Sequence, residues 1–346
     1  MNRVWMQSLD TAHAWRGEQF AKRDDDDSWI WRWSAEELAD IDRGLRAAQK
    51  TGLPLEQIQR EHFPLGIMAG RLDTIAREVR DGRGFIVARG LPVSRYSDEE
   101  VGLIYWGLGR YLGTPLYQNT KGDLLGHVYD YGRKYGEIDV RGYEGNGLLP
   151  YHTDNCDLVG LLCLRQGISG GSSSIVSAVT LHNEVLANHP EYLGLLYNGF
   201  YYIRREEALG AGGARGYSET PVPVFGQRDG VISCRYIRNQ INAGAVKRAI
   251  PLTKIELEAL DYFDELSCRE DLRLDMMLQP GDMQFCNNYT TLHSRTGFVD
   301  GPEPQQKRHM VRLWLKFFKP WPISDMFIEQ RGYLPSATGG AHVEAS

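Results

Sequence analysis

No block of lysine and arginine occurs anywhere in the 346 residues, and the formal net charge is -6. A protein that grips DNA or RNA needs a positive field along its contact face, so nucleic acid is not an expected partner. The one conspicuous charge run, Asp24 to Asp27, is acidic and reads as a solvated loop. Long apolar runs are also missing. None approaches the ~18 residues that a spanning helix requires, and no apolar segment follows basic residues at the start, so a soluble cytoplasmic protein without a membrane partner is expected. Cysteine is scarce. The five (Cys156, Cys163, Cys234, Cys268, Cys286) are odd in number and form no C-x-x-C pair, which predicts buried thiols of a reducing compartment rather than a disulfide framework. Gly170 to Ser174 lacks the G-x-x-x-x-G-K-[ST] pattern and a nearby lysine, so it reads as a tight turn and not a phosphate loop.

Hydrophobic residues make up 42% of the chain and glycine is plentiful at 38, which suits a sheet-rich protein with a sizeable core and many turns. Ser34 with Glu37, Ser97 with Glu100 and Thr253 with Glu256 are capping-box pairs, each followed by apolar residues at helical spacing. Met68, Leu72, Ile75, Ala76 and Val79 mark another helix, and Thr180 to His189 a short one ended by Pro190. Phe85 to Arg89 and the unbroken apolar run Leu158 to Leu164 read as buried strands. Residues 115 to 148 lack a period and serve either as a substrate loop or as a surface connection. Residues 199 to 250 read as irregular β-structure with a flexible loop at Gly210 to Gly216. Within them Arg204, Arg205, Arg235 and Arg238 are candidates to meet an anionic substrate. No repeat or low-complexity linker divides the chain. A single domain over 1–346 is expected, mainly β with flanking helices: a helical N-terminal extension over 1–80 packed on a sandwich or barrel core over 80–320, with a disordered tail at 335–346.

Residues two apart on a strand project from one face about 7 Å apart, so His152 and Asp154 can converge on a point in front of a sheet. With a distant imidazole, His293, they make two histidines and one carboxylate, the facial triad that leaves positions open at Fe(II) for substrate and O2. A His-x-Asp triplet alone is frequent by chance. Downstream, however, Arg308 follows His293 by fifteen residues, and as a strand Arg308, Met310, Arg312 and Trp314 share one face while Val311, Leu313 and Leu315 face the core. A guanidinium inside a sheet calls for an anion, and its planar fork matches a carboxylate. A dicarboxylate cosubstrate that chelates iron at one end would satisfy Arg308 at the other. Asp157, three residues from Asp154, falls on the opposite face, and His127, His182 and His309 read as structural histidines.

His152-Thr153-Asp154, Gly170-Gly171 with the serines after it, Gly281-Asp282 leading to Asn288 and His293, and Arg308 to Leu315 together resemble the taurine dioxygenase and 2,4-dichlorophenoxyacetate dioxygenase family of Fe(II), 2-oxoglutarate-dependent oxygenases. The resemblance spans about residues 80 to 320. It implies a double-stranded β-helix, or jelly roll, with His152, Asp154 and His293 as iron ligands, and Arg308 with Ser173 on the distal carboxylate of 2-oxoglutarate. Arg312 matches a position that holds an acidic substrate in some members. The sequence departs from the family at Cys286-Asn287-Asn288, where an aromatic followed by Asp-Asn is usual, and over the first 80 residues.

The expected function is oxidation, foremost hydroxylation, of an unactivated C–H bond in a small carboxylate-bearing metabolite, with 2-oxoglutarate and O2 as cosubstrates and succinate and CO2 as co-products. A zinc hydrolase could use the same three ligands, and a jelly-roll binding protein would need no turnover. The first gives no reason for Arg308 or Ser173. The second gives none for a complete triad. Oligomeric state is left open by the sequence, although homo-oligomers are the common case.

Overall fold

A computed structural model describes residues 4–21, 27–119, 121–132, 145–204, 216–325, 327, 334–335 and 341–342. In chain order the strands begin with β1 (Ile30–Arg32), β2 (Phe85–Arg89), β3 (Thr114–Pro115), β4 (Leu125–Val128), β5 (Leu149–His152), β6 (Leu158–Arg165), β7 (Ser169–Gly170) and β8 (Ser173–Ser177). They continue with β9 (Phe225–Arg228), β10 (Val231–Cys234), β11 (Arg273–Met276), β12 (Met283–Asn287), β13 (Thr291–Arg295), β14 (Phe298–Val299) and β15 (His309–Lys316). The helices are α1 (Glu18–Ala21), α2 (Ala35–Thr51), α3 (Ile67–Asp81), α4 (Asp98–Leu112), α5 (Ala178–Asn188), α6 (Pro190–Asn198), α7 (Arg238–Arg248) and α8 (Lys254–Cys268). The result is a mixed α/β structure with a substantial sheet. No helix among the described residues is long and apolar enough to cross a membrane.

The larger sheet has the order β1-β2-β12-β6-β15-β3, with β4 also on β15, and the smaller has β11-β8-β13-β5. Side-chain alternation explains their packing. On β2, Phe85 and Val87 join Val159, Cys163, Met310 and Trp314 from the larger sheet and Ile175, Leu274 and Met276 from the smaller in one buried cluster, which therefore lies between the sheets. Ile86, Ala88, Val311, Leu313 and Leu315 point the other way, against apolar stripes of α2, α3 and α4. Val176 and Leu292 likewise turn outward towards α5. The alternation expected for β15 is observed from Met310 to Leu315, while Arg308 stands just before the strand.

All three capping boxes form, at Ser34, Ser97 and Thr253. Pro190 ends α5 but also opens α6, where its missing N–H is no loss. Residues 199–250 are not irregular β throughout: β9 and β10 pair, yet Arg238–Arg248 is helical. Four cysteines are buried and Cys268 is exposed, against the expectation for that one. Arg205, most of the Gly210–Gly216 loop, much of 115–148 and most of the tail lie outside the described residues.

Candidate active site

β13 pairs with β5 so that His293 and His152 are direct partners, with ring centroids 4.3 Å apart. On its other side β13 sets His293 opposite Ile175, a member of the inter-sheet cluster, so both imidazoles face the space between the sheets. β5 ends at His152, and the two residues after it are pinned. The Thr153 N–H donates to the Tyr236 carbonyl at 2.9 Å and its hydroxyl accepts the Tyr236 N–H at 3.1 Å. The Asp154 N–H donates to Asn288 Oδ1 at 2.8 Å, while Asn288 Nδ2 donates to the carbonyls of Asp154 and Cys156. Arg235 Nη1 donates to that Asp154 carbonyl as well. The backbone is thus tied down on each side, and the carboxylate is presented inward.

Candidate ligand atoms of His152, Asp154 and His293 lie within 4.8 Å of one another. His152 Nδ1 is 2.9 Å from the Pro150 carbonyl, which can only accept, so Nδ1 carries the proton and Nε2 keeps its lone pair. His293 Nε2 is 3.8 Å from Asp154 Oδ2, and its Nδ1 is buried without a partner among the described residues. Burial lowers the pKa of His152, and burial followed by the neighbouring His152 lowers that of His293 to about 3. Burial alone would raise Asp154, but the Arg312 charge, the two imidazoles and the Trp314 hydrogen bond bring it to about 2. At neutral pH the three are two neutral imidazoles and a carboxylate, which need shed no proton to bind a cation. This nitrogen–nitrogen–oxygen set on one side of a point fits Fe(II) with open positions.

Arg312 and Trp314, on the same face of β15, both reach the Asp154 carboxylate. Arg312 Nη1 donates to each oxygen at 3.3 Å, the Trp314 indole N–H donates to Oδ2 at 2.9 Å, and Arg312 Nε donates to Gln118 Oε1 at 2.8 Å. Arg308 differs. It is 6% exposed, its backbone N–H donates to Asp300 Oδ1 at 2.8 Å, and its guanidinium lies 5.2 Å from the Phe298 ring centre. Its Nη1 is buried with no hydrogen-bond partner among the described residues, and burial lowers its pKa to about 10. Gly171, at φ +76°, lets the chain pass close by, since a Cβ there would stand 2.9 Å from Arg308 Nε. Ser173 is buried on β8 opposite Arg295.

The remaining candidates sit elsewhere. Arg238 pairs with Asp261 and Asp264 of α8 at 2.7 Å each, and the backbone of Arg204 donates to the Gly216 carbonyl at 2.9 Å. Asp157 accepts from the Tyr289 hydroxyl at 2.5 Å and the Phe317 N–H at 3.0 Å. His127 and His309 are bonded to each other at 2.8 Å, and His182 to the Tyr197 hydroxyl at 3.2 Å. The sequence marked Asn288 within the motif leading to His293 but gave it no role, and sequence reasoning missed Gln118, Tyr236 and Arg295. Trp314 was within reach, since alternation already put it beside Arg312, but its indole bond to Asp154 depends on how β15 packs against the loop after β5.

A family model described as taurine catabolism dioxygenase TauD, TfdA family matches residues 51–314. FR-33289 synthase of Streptomyces rubellomurinus is 32% identical over 305 residues, covering 86% of this chain and 88% of that protein. Taurine hydroxylase-like protein SAT17 of Stachybotrys chartarum is 28% identical, covering 88% of this chain and 79% of its own. Among solved structures, an asparagine oxygenase in complex with Fe(II), 3-hydroxyasparagine and succinate superposes with TM-score 0.64 at 17% identity, over 92% of this chain and all (100%) of that one. The non-heme iron oxygenase OrfP, in complex with Fe, succinate and (3S)-hydroxy-L-Arg, gives 0.61 at 17% identity, over 83% and 94%. The structural likeness is one of fold.

Proposed function

The chain belongs to the taurine catabolism dioxygenase TauD, TfdA family, and from that premise we propose how its residues divide the work of an Fe(II)- and 2-oxoglutarate-dependent dioxygenase. His152, Asp154 and His293 hold the iron. Arg308, helped by the Ser173 hydroxyl, grips the distal carboxylate of 2-oxoglutarate, and Arg312, whose guanidinium is already paired with Asp154 and Gln118, orients that ligand beside a small carboxylate-bearing substrate. The two sheets close as a jelly roll in a single domain, with residues 1–80 covering a core over 80–320 and adding β1 to the edge of its larger sheet, and the enzyme works in the cytoplasm. Two of the neighbours, an asparagine oxygenase with 3-hydroxyasparagine and OrfP with (3S)-hydroxy-L-Arg, support an amino-acid-like substrate.

The observation that carries this reading is the Nη1 of Arg308, buried without a partner among the described residues, just before the strand that brings Arg312 and Trp314 to Asp154. A cation left there without an anion is costly, and a carboxylate tail meets its fork with two hydrogen bonds. Iron, keto acid and O2 together supply the oxidising power that removes hydrogen from an unactivated C–H bond, releasing succinate and CO2. The protein does the rest. His152 is oriented by the Pro150 carbonyl and Asp154 by Arg312 and Trp314, so the ligands are set before the metal arrives. The apolar walls of Ile175, Met310 and Trp314 keep water from the reacting carbon.

The test is anaerobic. Metal-stripped protein reloaded with Fe(II) is titrated with 2-oxoglutarate, and the visible charge-transfer band of a chelated keto acid is followed in wild type and Arg308→Ala. A band in the wild type that needs at least ten-fold more 2-oxoglutarate in the variant is the expected result, on the order of 1.4 kcal/mol or more. Metal bound without a band would overturn the assignment.

A further inference from the structure

Arg308 is not the only buried cation in its neighbourhood. Arg295, two residues after His293 on β13, is also 6% exposed, and its strand partner across the ladder is Ser173. Partners across an antiparallel ladder share a face, so Arg295 and Ser173 look into the inter-sheet space together. Its guanidinium lies 4.7 Å from the centre of the Phe298 ring that Arg308 also covers at 5.2 Å. Among the described residues neither arginine has a carboxylate within ion-pair distance of its guanidinium. Arg295 Nη1 and Nη2 donate to the Gly145 carbonyl at 3.2 and 3.1 Å, Nη2 also donates to Gly147, and Nε is buried without a partner.

Carbonyl dipoles solvate a guanidinium but leave its charge in place. Other arginines of this chain are neutralised: Arg89 donates to both oxygens of Asp282, and Arg312 to both of Asp154. Two cations around one ring, with no anion between them among the described residues, therefore stand out as a doubly positive pocket. Burial, then the like charge of Arg308, lowers the Arg295 pKa to about 10, with only Asp130 opposing. Arg295 is also fixed in place. Its hold on Gly145 and Gly147 is reinforced by the Phe298 N–H donating to the Asn146 carbonyl at 2.9 Å, so it cannot swing out to solvent.

We infer that Arg295 is the second cation of the cosubstrate pocket, a specificity-determining residue that makes the site select keto acids ending in a carboxylate. The inference rests on the proposed seat of 2-oxoglutarate at Arg308. Arg308 makes the directional hydrogen bonds, and Arg295 adds a fixed charge at short range where water is scarce. A keto acid with a neutral tail would enter the same space and leave both charges unmet.

The experiment compares 2-oxoglutarate with its neutral-tailed counterpart 2-oxopentanoate, by the same anaerobic charge-transfer titration on the Fe(II) protein. In the wild type 2-oxoglutarate should bind about 100-fold tighter, and Arg295→Gln should narrow that ratio about ten-fold, chiefly by weakening 2-oxoglutarate. If Arg295 merely held the Gly145–Gly147 segment, both keto acids would weaken alike and the ratio would stay, which overturns the inference. Arg295→Lys decides the matter should the glutamine variant not fold. Lysine keeps the charge, so a ratio held near that of the wild type supports the charge role, and a ratio that narrows about ten-fold although the charge is retained overturns it. Arg308→Ala binding 2-oxoglutarate as the wild type does would instead sink the placement of the cosubstrate itself, whatever Arg295 does.

Discussion

Among the described residues the Trp314 indole is the one uncharged side chain that donates to the Asp154 carboxylate, and it does so at Oδ2, the oxygen nearer His293. Trp314→Phe keeps an aromatic ring in the inter-sheet cluster but removes the shorter of the two hydrogen bonds to that oxygen, leaving the Arg312 contact at 3.3 Å. Groups that orient a metal ligand typically change affinity 10–100-fold, so Fe(II) should bind about ten-fold more weakly, read by competition with a chromophoric chelator. At saturating metal the 2-oxoglutarate titration should match the wild type, which separates a ligand-orienting role from damage to the pocket. Gly171→Ala tests the other end of the site. The added methyl would meet Arg308 Nε at 2.9 Å on a backbone at φ +76°, so the guanidinium must move, and 2-oxoglutarate affinity should fall at least ten-fold while metal affinity holds. Unchanged 2-oxoglutarate affinity would mean that Arg308 does not need its present position. At this scale the sequence was legible where spacing carried the information. His152, Asp154, His293 and Arg308 stand out by order and interval, whereas Gln118 and Arg295 act through contacts over more than a hundred residues of chain and leave no local mark.

Elements followed the same rule. The boxes Ser34–Glu37, Ser97–Glu100 and Thr253–Glu256 are local chemistry, and α2, α4 and α8 begin where they said. β15 was legible because both of its faces are buried against different cores, which left the two alternating sets distinct. α7 was not. Arg238–Arg248 has no side-chain cap, and its buried face is only Ile241, Gly244 and Ala245, too narrow to register as an apolar stripe. Gly244 explains why so poor a helix former stands there. A Cβ at this position would collide with the Tyr201 carbonyl, so α7 packs backbone to backbone. The usual gain of about 1 kcal/mol from glycine to alanine in a helix should therefore reverse. Gly244→Ala is expected to destabilise by about 2 kcal/mol or more in denaturant unfolding, by overpacking against backbone that cannot yield. A stabilised variant would show that α7 and the Tyr201 segment can move apart freely.

For the molecule as a whole, acid is the condition to which this fold is most exposed, because several histidines are buried as neutral rings. His182 is fully buried beside Tyr197 and Phe225, and burial lowers its pKa from 6.5 to about 4. His13 and His309 are lowered to about 4 as well, again by burial first. The folded state thus binds fewer protons than the unfolded one between these values. Stability is full above pH 6.5 and drains away as the pH falls towards 4, since unfolding takes up the protons that the folded rings refuse. For His182 the loss at the acid limit is on the order of 3 kcal/mol. Unfolding free energies of the metal-free protein, measured by denaturant at intervals from pH 7 to 4.5, should fall steadily, and His182→Gln, whose amide does not titrate, should fall less steeply. Identical slopes would mean that His182 takes up its proton in the folded state too. Metal adds a second arm to the measurement. An ion on His152 and His293 competes with protons there and binds only the folded chain, so excess Fe(II) under anaerobic conditions should move the onset of acid unfolding to lower pH, by an amount that grows with metal concentration.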